Sequence, residues 1–256
     1  MAKLSALIIT LNEQDNIEEC IKSIRWADEI IVVDSGSKDS TVAIARKFTS
    51  KVYINEFKDF SSQKNFCLSK AACEWVLFLD ADERITEDLR LKIQGVIKYD
   101  EGPDSYYIKR STYIFGRLFK HGGHDKDYQL RLFKKRKGHF YQPVHEKVEL
   151  SGGRAGYIDE PMLHYSSSNI SQYVGKLNLY TDLESAYMAG RQKRISAVGI
   201  FTKPMLRFIQ KYIVQLGFMD GPEGFIFYTF SSYYDFVRCA KLWEINNAGS
   251  SIRSKG

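Results

Sequence analysis

Short apolar runs that end abruptly in polar clusters set the pattern of the first hundred residues. Residues 4–10 stop at Thr10-Leu11-Asn12-Glu13, and residues 29–33 stop at Asp34-Ser35-Gly36-Ser37-Lys38-Asp39-Ser40-Thr41. Residues 75–79 stop at Asp80-Ala81-Asp82-Glu83. Apolar runs of this length between turn residues read as buried strands. Between them the period lengthens. Ile17, Cys20, Ile21 and Ile24 fall at helical spacing, and Asp15 with Glu18 makes a capping-box-like start. Further helices are predicted over 41–48, capped by Ser37 or Asp39, over 61–72, and over 86–97 behind the cap Thr86, with a short strand at 51–54. Regular alternation of strand and helix implies right-handed crossovers and a largely parallel sheet flanked by helices, an α/β class.

In such a sheet ligands sit at the carboxyl ends of the strands, where Thr10, Asn12, Asp34, Asp80 and Asp82 fall. Three carboxylates within four residues, at 80, 82 and 83, repel one another unless a cation compensates, and an all-oxygen site suits Mg2+ or Mn2+ rather than zinc. A buried strand followed by a turn would give the same hexapeptide, but the two other polar strand ends favour a nucleotide-sugar site. No Gly-x-Gly-x-x-Gly follows the first strand and there is no Gly-Lys-Ser/Thr loop. Phosphates must therefore be met by a metal on the Asp-x-Asp cluster and by basic side chains from later in the chain. A sugar nucleotidyltransferase would share sheet and metal, but lacks support in a Gly- and Arg-rich loop near the amino terminus. A non-catalytic nucleotide-sugar-binding module is the other alternative.

These strand-end motifs resemble glycosyltransferase family 2, with its GT-A fold. His121-Gly122-Gly123, Asp127-Tyr128-Gln129-Leu130-Arg131-Leu132-Phe133 and Val144-His145-Glu146 are similar to the lipooligosaccharide β-1,4-glucosyltransferase subgroup. The likeness covers residues 3–165 and resumes at Gly217-Phe218-Met219-Asp220-Gly221. Many relatives carry two consecutive acids after the second strand; here the second is Ser35. The resemblance implies an inverting transfer of a hexose, glucose from UDP-glucose, to a glycan or glycolipid such as the lipopolysaccharide core, with polyprenyl phosphate as the alternative acceptor. It implies that Thr10, Leu11, Asn12, Glu13, Asp34 and Asp80 line the nucleoside and sugar, and that Asp82 holds the metal, with Asp80, Glu83 and His145 as further candidates. Asp127 is the expected general base, with Asp125 and Glu146 as rivals, and Arg131 the guanidinium facing the departing diphosphate. Gln63 and Lys64 read as a solvated helix face, His145 equally as a core hydrogen-bonding residue, and His121 and His124 as part of a loop that either closes over the donor or is an ordinary turn.

At 256 residues with 44% hydrophobic content, the chain is long enough for a full α/β core. After residue 165 the pattern turns helical, over 170–189 and 197–216, with an aromatic segment at 224–234. The expected organisation is a catalytic domain over 1–165, a helical extension over 166–246 and a polar tail over 247–256. Cys20, Cys67, Cys73 and Cys239 show no metal spacing, which favours reduced thiols and a cytoplasmic setting. No signal peptide is visible at the amino terminus and no apolar run approaches bilayer length. Of the net charge of +6, much sits between Lys109 and Lys137, where Lys or Arg occupies 109, 110, 117, 120, 126, 131 and 134–137 against only Asp125 and Asp127. Such a surface attracts phosphates or an anionic membrane, here the inner face of the cytoplasmic membrane, and no nucleic-acid module accompanies it. The later helices either pack on the catalytic domain or lie in a membrane interface.

Overall fold

The computed structural model describes residues 2–99, 102–143 and 146–248. His145, expected near the metal, and residues 249–256 of the expected tail lie outside them. The chain forms two compact units, Met1–Thr112 with Lys126–Ser166, and Tyr113–Asp125 with Ser167–Gly256.

In the first unit the strands and helices alternate as β1 (Leu4–Thr10), α1 (Ile17–Ser23), β2 (Glu29–Asp34), α2 (Thr41–Ala45), β3 (Val52–Ile54), α3 (Phe60–Lys70), β4 (Trp75–Asp80), β5 (Glu83–Ile85) and α4 (Glu87–Tyr99). There follow β6 (Ser105–Ile114), β8 (Tyr128–Lys134), β9 (Gly138–Tyr141), β10 (Lys147–Leu150) and β11 (Ala155–Tyr165), while β7 (Arg117–Leu118) belongs to the second unit. The main sheet has the order β3-β2-β1-β4-β8-β6-β11-β5. Its first four strands are parallel, as the alternation requires, and the pairings β4–β8, β8–β6 and β11–β5 are antiparallel. All seven residues of β1 are buried because both sheet faces are covered. Alternate residues feed two cores. Ala6, Ile8, Val32, Leu77 and Leu79 pack with α1 and α4 through Ile17, Ile21, Leu89 and Ile93, while Leu7, Ile9, Val33, Val76 and Phe78 pack with Cys67 and Leu68 of α3 and with Phe133 and Phe140.

Local boundaries differ where side chains find other partners. Asn16, not Asp15, precedes α1, and it makes no capping bond: its Nδ2 donates to Glu13 and its Oδ1 accepts from Arg84. Ser40 precedes α2, although Asp39 does accept from the Thr41 amide. Thr86 accepts from Leu89 N–H, as expected for the start of α4. The stretch after Asp82 is no simple turn. Glu83–Ile85 continues as an edge strand paired to β11.

The second unit contains the hairpin end Tyr113–Leu118 and three helices, α5 (Ile170–Gly190), α6 (Ala197–Phe208) and α7 (Gly221–Ala248). The helix expected over 197–216 leaves α-geometry at Phe208 and continues as a π-helical turn over Ile209–Val214. Its core is aromatic: Ile114, Phe119 and Tyr228 with Phe115, Phe208, Tyr212 and Phe227. Arg238 joins the helices by pairing with Glu184 at 2.8 Å and Asp235 at 2.7 Å.

Asp220, 2% exposed, clamps the histidine-glycine loop. It accepts from the backbone amides of Lys120 and His121, lies 3.0 Å from His121 Nδ1, and stands 3.5 Å from the Tyr228 hydroxyl, which also donates to the His121 carbonyl. Gly122 adopts φ +65°, and a Cβ there would overlap that hydroxyl, so only glycine fits. The loop is thus pinned rather than loose. Asp220→Ala leaves the Lys120 and His121 amides without this acceptor and is expected to lower unfolding free energy by about 2 kcal/mol in urea titration, whereas Asp220→Asn retains an acceptor and costs about half as much.

Candidate active site

The register of the parallel strands sets the site. Thr10 pairs with Asp34 and Ile9 with Asp80, so three polar residues reach the carboxyl edge of neighbouring strands at one level. Thr10 is buried and its hydroxyl has no hydrogen-bond partner among the described residues, a feature that suits a ligand contact. Leu11 and Asn12 are exposed. Asp34 is wholly buried, accepting from the amides of Gly36 and Ser37 at 2.8 and 2.7 Å and from the Ser37 hydroxyl at 2.5 Å, while Gly36 turns the chain at φ +92°.

The loops after β1 and β2 lock each other. Asn12, left-handed at φ +53°, donates its amide to Ser37 Oγ and accepts from Lys38 N–H through its side chain. Glu13 N–H bonds Thr41 Oγ1, and Gln14 N–H bonds Asp39. Ser35 accepts from Gln63 Nε2 at 2.9 Å.

The Asp80-Ala81-Asp82-Glu83 carboxylates take up different partners. Asp80 Oδ2 lies 2.6 Å from Arg131 Nη2 and Oδ1 lies 3.2 Å from Lys64 Nζ. Burial pushes its carboxyl up, but Arg131 and Lys64 outweigh that and hold it far below the usual carboxylate range. Glu83 is fully buried; it accepts the Asp80 amide at 2.9 Å and Arg131 Nη2 at 2.5 Å. Burial raises Glu83 against the pull of Arg131. Arg110 continues the chain of charge, 3.7 Å from Glu83 and 2.8 Å from Asp127, whose other oxygen accepts from Gln129 at 2.6 Å. At the far end Lys64 pairs with Glu146 at 2.5 Å. The result is one line of alternating sign: Asp127, Arg110, Glu83, Arg131, Asp80, Lys64, Glu146.

Several sequence expectations change here. Gln63 and Lys64 are each only 1% exposed, not a solvated helix face. Their burial was readable, since they continue the stripe of Cys67 and Leu68 along α3. Arg131, expected to face a diphosphate, is buried against Asp80 and Glu83, and Glu83 serves Arg131 and the Asp80 amide. Asp127 and Glu146 sit on the charged line, whereas Asp125 is exposed in a short 3-10 turn of the second unit.

Asp82 has a neighbour that the sequence did not single out. His164 Nε2 lies 3.5 Å from Asp82 Oδ2, because the β11 register brings His164 opposite Glu83. The signal was the two-residue period Ile158, Met162, His164 in β11. Among the described residues no cluster of three or more His, Cys, Asp or Glu could itself hold a metal. Asp82 and His164 are the pair that could share one with a ligand.

The sequence profile described as glycosyl transferase family 2 matches residues 5–159. An uncharacterized glycosyltransferase of Rickettsia conorii is 30% identical over 99% of this chain and 92% of its own. A lipopolysaccharide core biosynthesis glycosyltransferase of Rhizobium meliloti is 26% identical over 94% of this chain and 92% of its own. Among solved structures, glucosyl-3-phosphoglycerate synthase of Mycobacterium tuberculosis, in complex with Mn2+, UDP-glucose and phosphoglyceric acid, is 25% identical over 42% of this chain and 43% of that chain, with a TM-score of 0.37. The strand-end motifs, the profile and the sequence relatives agree: the chain is a glycosyltransferase of family 2.

Proposed function

We propose that this enzyme transfers glucose from UDP-glucose, with inversion and with the help of Mn2+ or Mg2+, to a glycolipid acceptor of the lipopolysaccharide-core kind at the inner face of the cytoplasmic membrane. The observation that carries the reading is the meeting of Thr10, Asp34 and Asp80 at adjacent strand ends, with Asp82 beside His164. The Rhizobium relative supports the acceptor class.

The donor set fits a divalent ion. Asp82 would hold it through its carboxylate, with His164 3.5 Å away. A site with few protein ligands leaves room for diphosphate oxygens and water, the habit of Mg2+ with phosphates. When bound, the ion neutralises charge developing on the departing diphosphate. The protein supplies the rest. Thr10 and the locked loops receive the nucleoside, Asp80 faces the ribose or sugar, and Arg131 and Lys64 fix the Asp80 carboxylate. Asp127, oriented by Arg110 and Gln129, takes the proton from the acceptor hydroxyl as its oxygen attacks the anomeric carbon and UDP leaves from the opposite face.

A nucleotide-sugar panel with and without Mn2+, read by thermal shift and by release of UDP rather than pyrophosphate, tests the whole reading. Release of pyrophosphate would sink it. In Asp82→Ala, calorimetric titration should detect metal-dependent UDP binding weakened by about 100-fold or more in a folded protein; undiminished affinity would remove Asp82 from the metal. Asp127→Asn should keep UDP affinity within about two-fold while kcat drops roughly 100-fold, and unchanged turnover would transfer the role to Glu146.

Lys64→Met unpairs Glu146 and leaves Asp80 to Arg131 alone, and chemical denaturation should register a loss of about 3 kcal/mol. The pH profile follows from the depressed Asp80. Its stabilising charge is fully present above the unfolded value of about 3.9 and is lost as pH falls through that value towards the lower native one. Acidification below about pH 4 should therefore destabilise the wild type more steeply than Lys64→Met.

A further inference from the structure

We infer that α6 and the π-helical turn after it form a membrane-surface platform whose occupant is an anionic lipid bilayer. The inner side of this segment is already satisfied: Phe208 and Tyr212 pack with Tyr228 and Phe227 in the aromatic core. The outer side is apolar and uncovered. Val198, Phe201 and Met205 follow one another at helical spacing, Leu206 widens the strip, and Ile213 and Val214 extend it through the turn. Phe201 and Val214 are each 70% exposed, far from the usual scatter of single surface apolar residues.

Charge selects the occupant. Between Arg191 and Met219 the chain carries Arg191, Lys193, Arg194, Lys203, Arg207 and Lys211, and no Asp or Glu. Arg207 pairs with Asp235 and Lys211 donates to the Gly122 carbonyl. Lys193, Arg194 and Lys203 are exposed and belong to no ion pair among the described residues. An apolar strip on a segment whose exposed charges are all cationic complements acyl chains beneath anionic headgroups. A second copy is disfavoured, because a two-fold contact through this face would set the same cations against each other. No helix among the described residues is long and apolar enough to cross a membrane, so the segment lies on the surface. The other basic run is less available to a bilayer, since Lys134 pairs with Asp104 over the Trp75 ring and Lys135 donates to the Ala71 carbonyl.

The inference rests on the glycolipid-acceptor reading for its purpose, but its test uses neither donor nor acceptor. Flotation of the full chain with phosphatidylcholine vesicles, and with vesicles containing phosphatidylglycerol, would be compared at about 0.01 M and about 1 M salt, where the Debye length falls from about 30 to about 3 Å. The wild type should float with anionic vesicles at low salt and much less at high salt. Lys193→Gln/Arg194→Gln/Lys203→Gln should lower partitioning about 100-fold, at roughly five-fold per cation, and flatten the salt dependence. Phe201→Ser/Leu206→Ser should weaken binding by about ten-fold or more at both salt concentrations. All five side chains are exposed, so an unchanged melting temperature checks the fold. Absence of wild-type flotation with anionic vesicles at low salt would overturn the inference, as would full binding by either variant. A dimer in sedimentation equilibrium that Phe201→Ser/Leu206→Ser disperses would instead assign the face to a second copy. Intact UDP binding alongside failed flotation would refute the platform alone, whereas lost UDP binding with normal flotation would refute the donor site alone.

Discussion

Asp80 gripped between Arg131 and Lys64 is the interaction on which the arrangement of the first unit's strand ends depends. Each of these residues comes from a different element: β4, β8 and α3. Bringing Arg131 and Lys64 out of water is expensive unless each meets a carboxylate, and each does, with Glu83 and Glu146 completing the pairs. The alternating line therefore serves as a registry device. A slip of β8 by one residue would turn Arg131 to the other sheet face and leave Asp80 and Glu83 facing one another without their guanidinium. The same residues that hold the carboxylates in place thus also fix which strand lies beside β4.

Much of this was legible in the sequence wherever the signal is local. The apolar runs of β1, β2 and β4, and the polar clusters that end them, give the parallel half of the sheet and its polar carboxyl edge. What was illegible depends on partners distant in sequence. Lys64 reads as a surface residue until Glu146, 82 positions later, arrives beside it. His164 had no motif of its own, and only the antiparallel pairing of β11 with β5 brings it to Asp82. Glu83 and Arg131 fell inside recognisable motifs, yet motif membership says nothing of which way a carboxylate or guanidinium points. Burial and pairing decide that.

The second unit shows the opposite balance. Two of its helices, α5 and α6, followed from spacing, whereas α7 was legible only as an aromatic segment, and the end of α6 was less predictable because the π-turn replaces α-geometry after Phe208. The Gly217-Phe218-Met219-Asp220-Gly221 segment lies almost a hundred residues after His121, and the hydrogen bonds from the Lys120 and His121 amides to Asp220 bring the two motifs together in space.

The crossed hydrogen bonds between the loops after β1 and β2 bear on the thermodynamics of nucleotide capture. Asn12, Glu13 and Gln14 are tied to Ser37, Lys38, Asp39 and Thr41 without any help from a ligand. Ordering a residue's backbone costs about 1 to 2 kcal/mol in conformational entropy, and here that ordering belongs to folding rather than to association. On the proposed reading, a nucleoside entering the cleft would meet a ready-made wall, and little of the intrinsic contact energy would be diverted into arranging these loops.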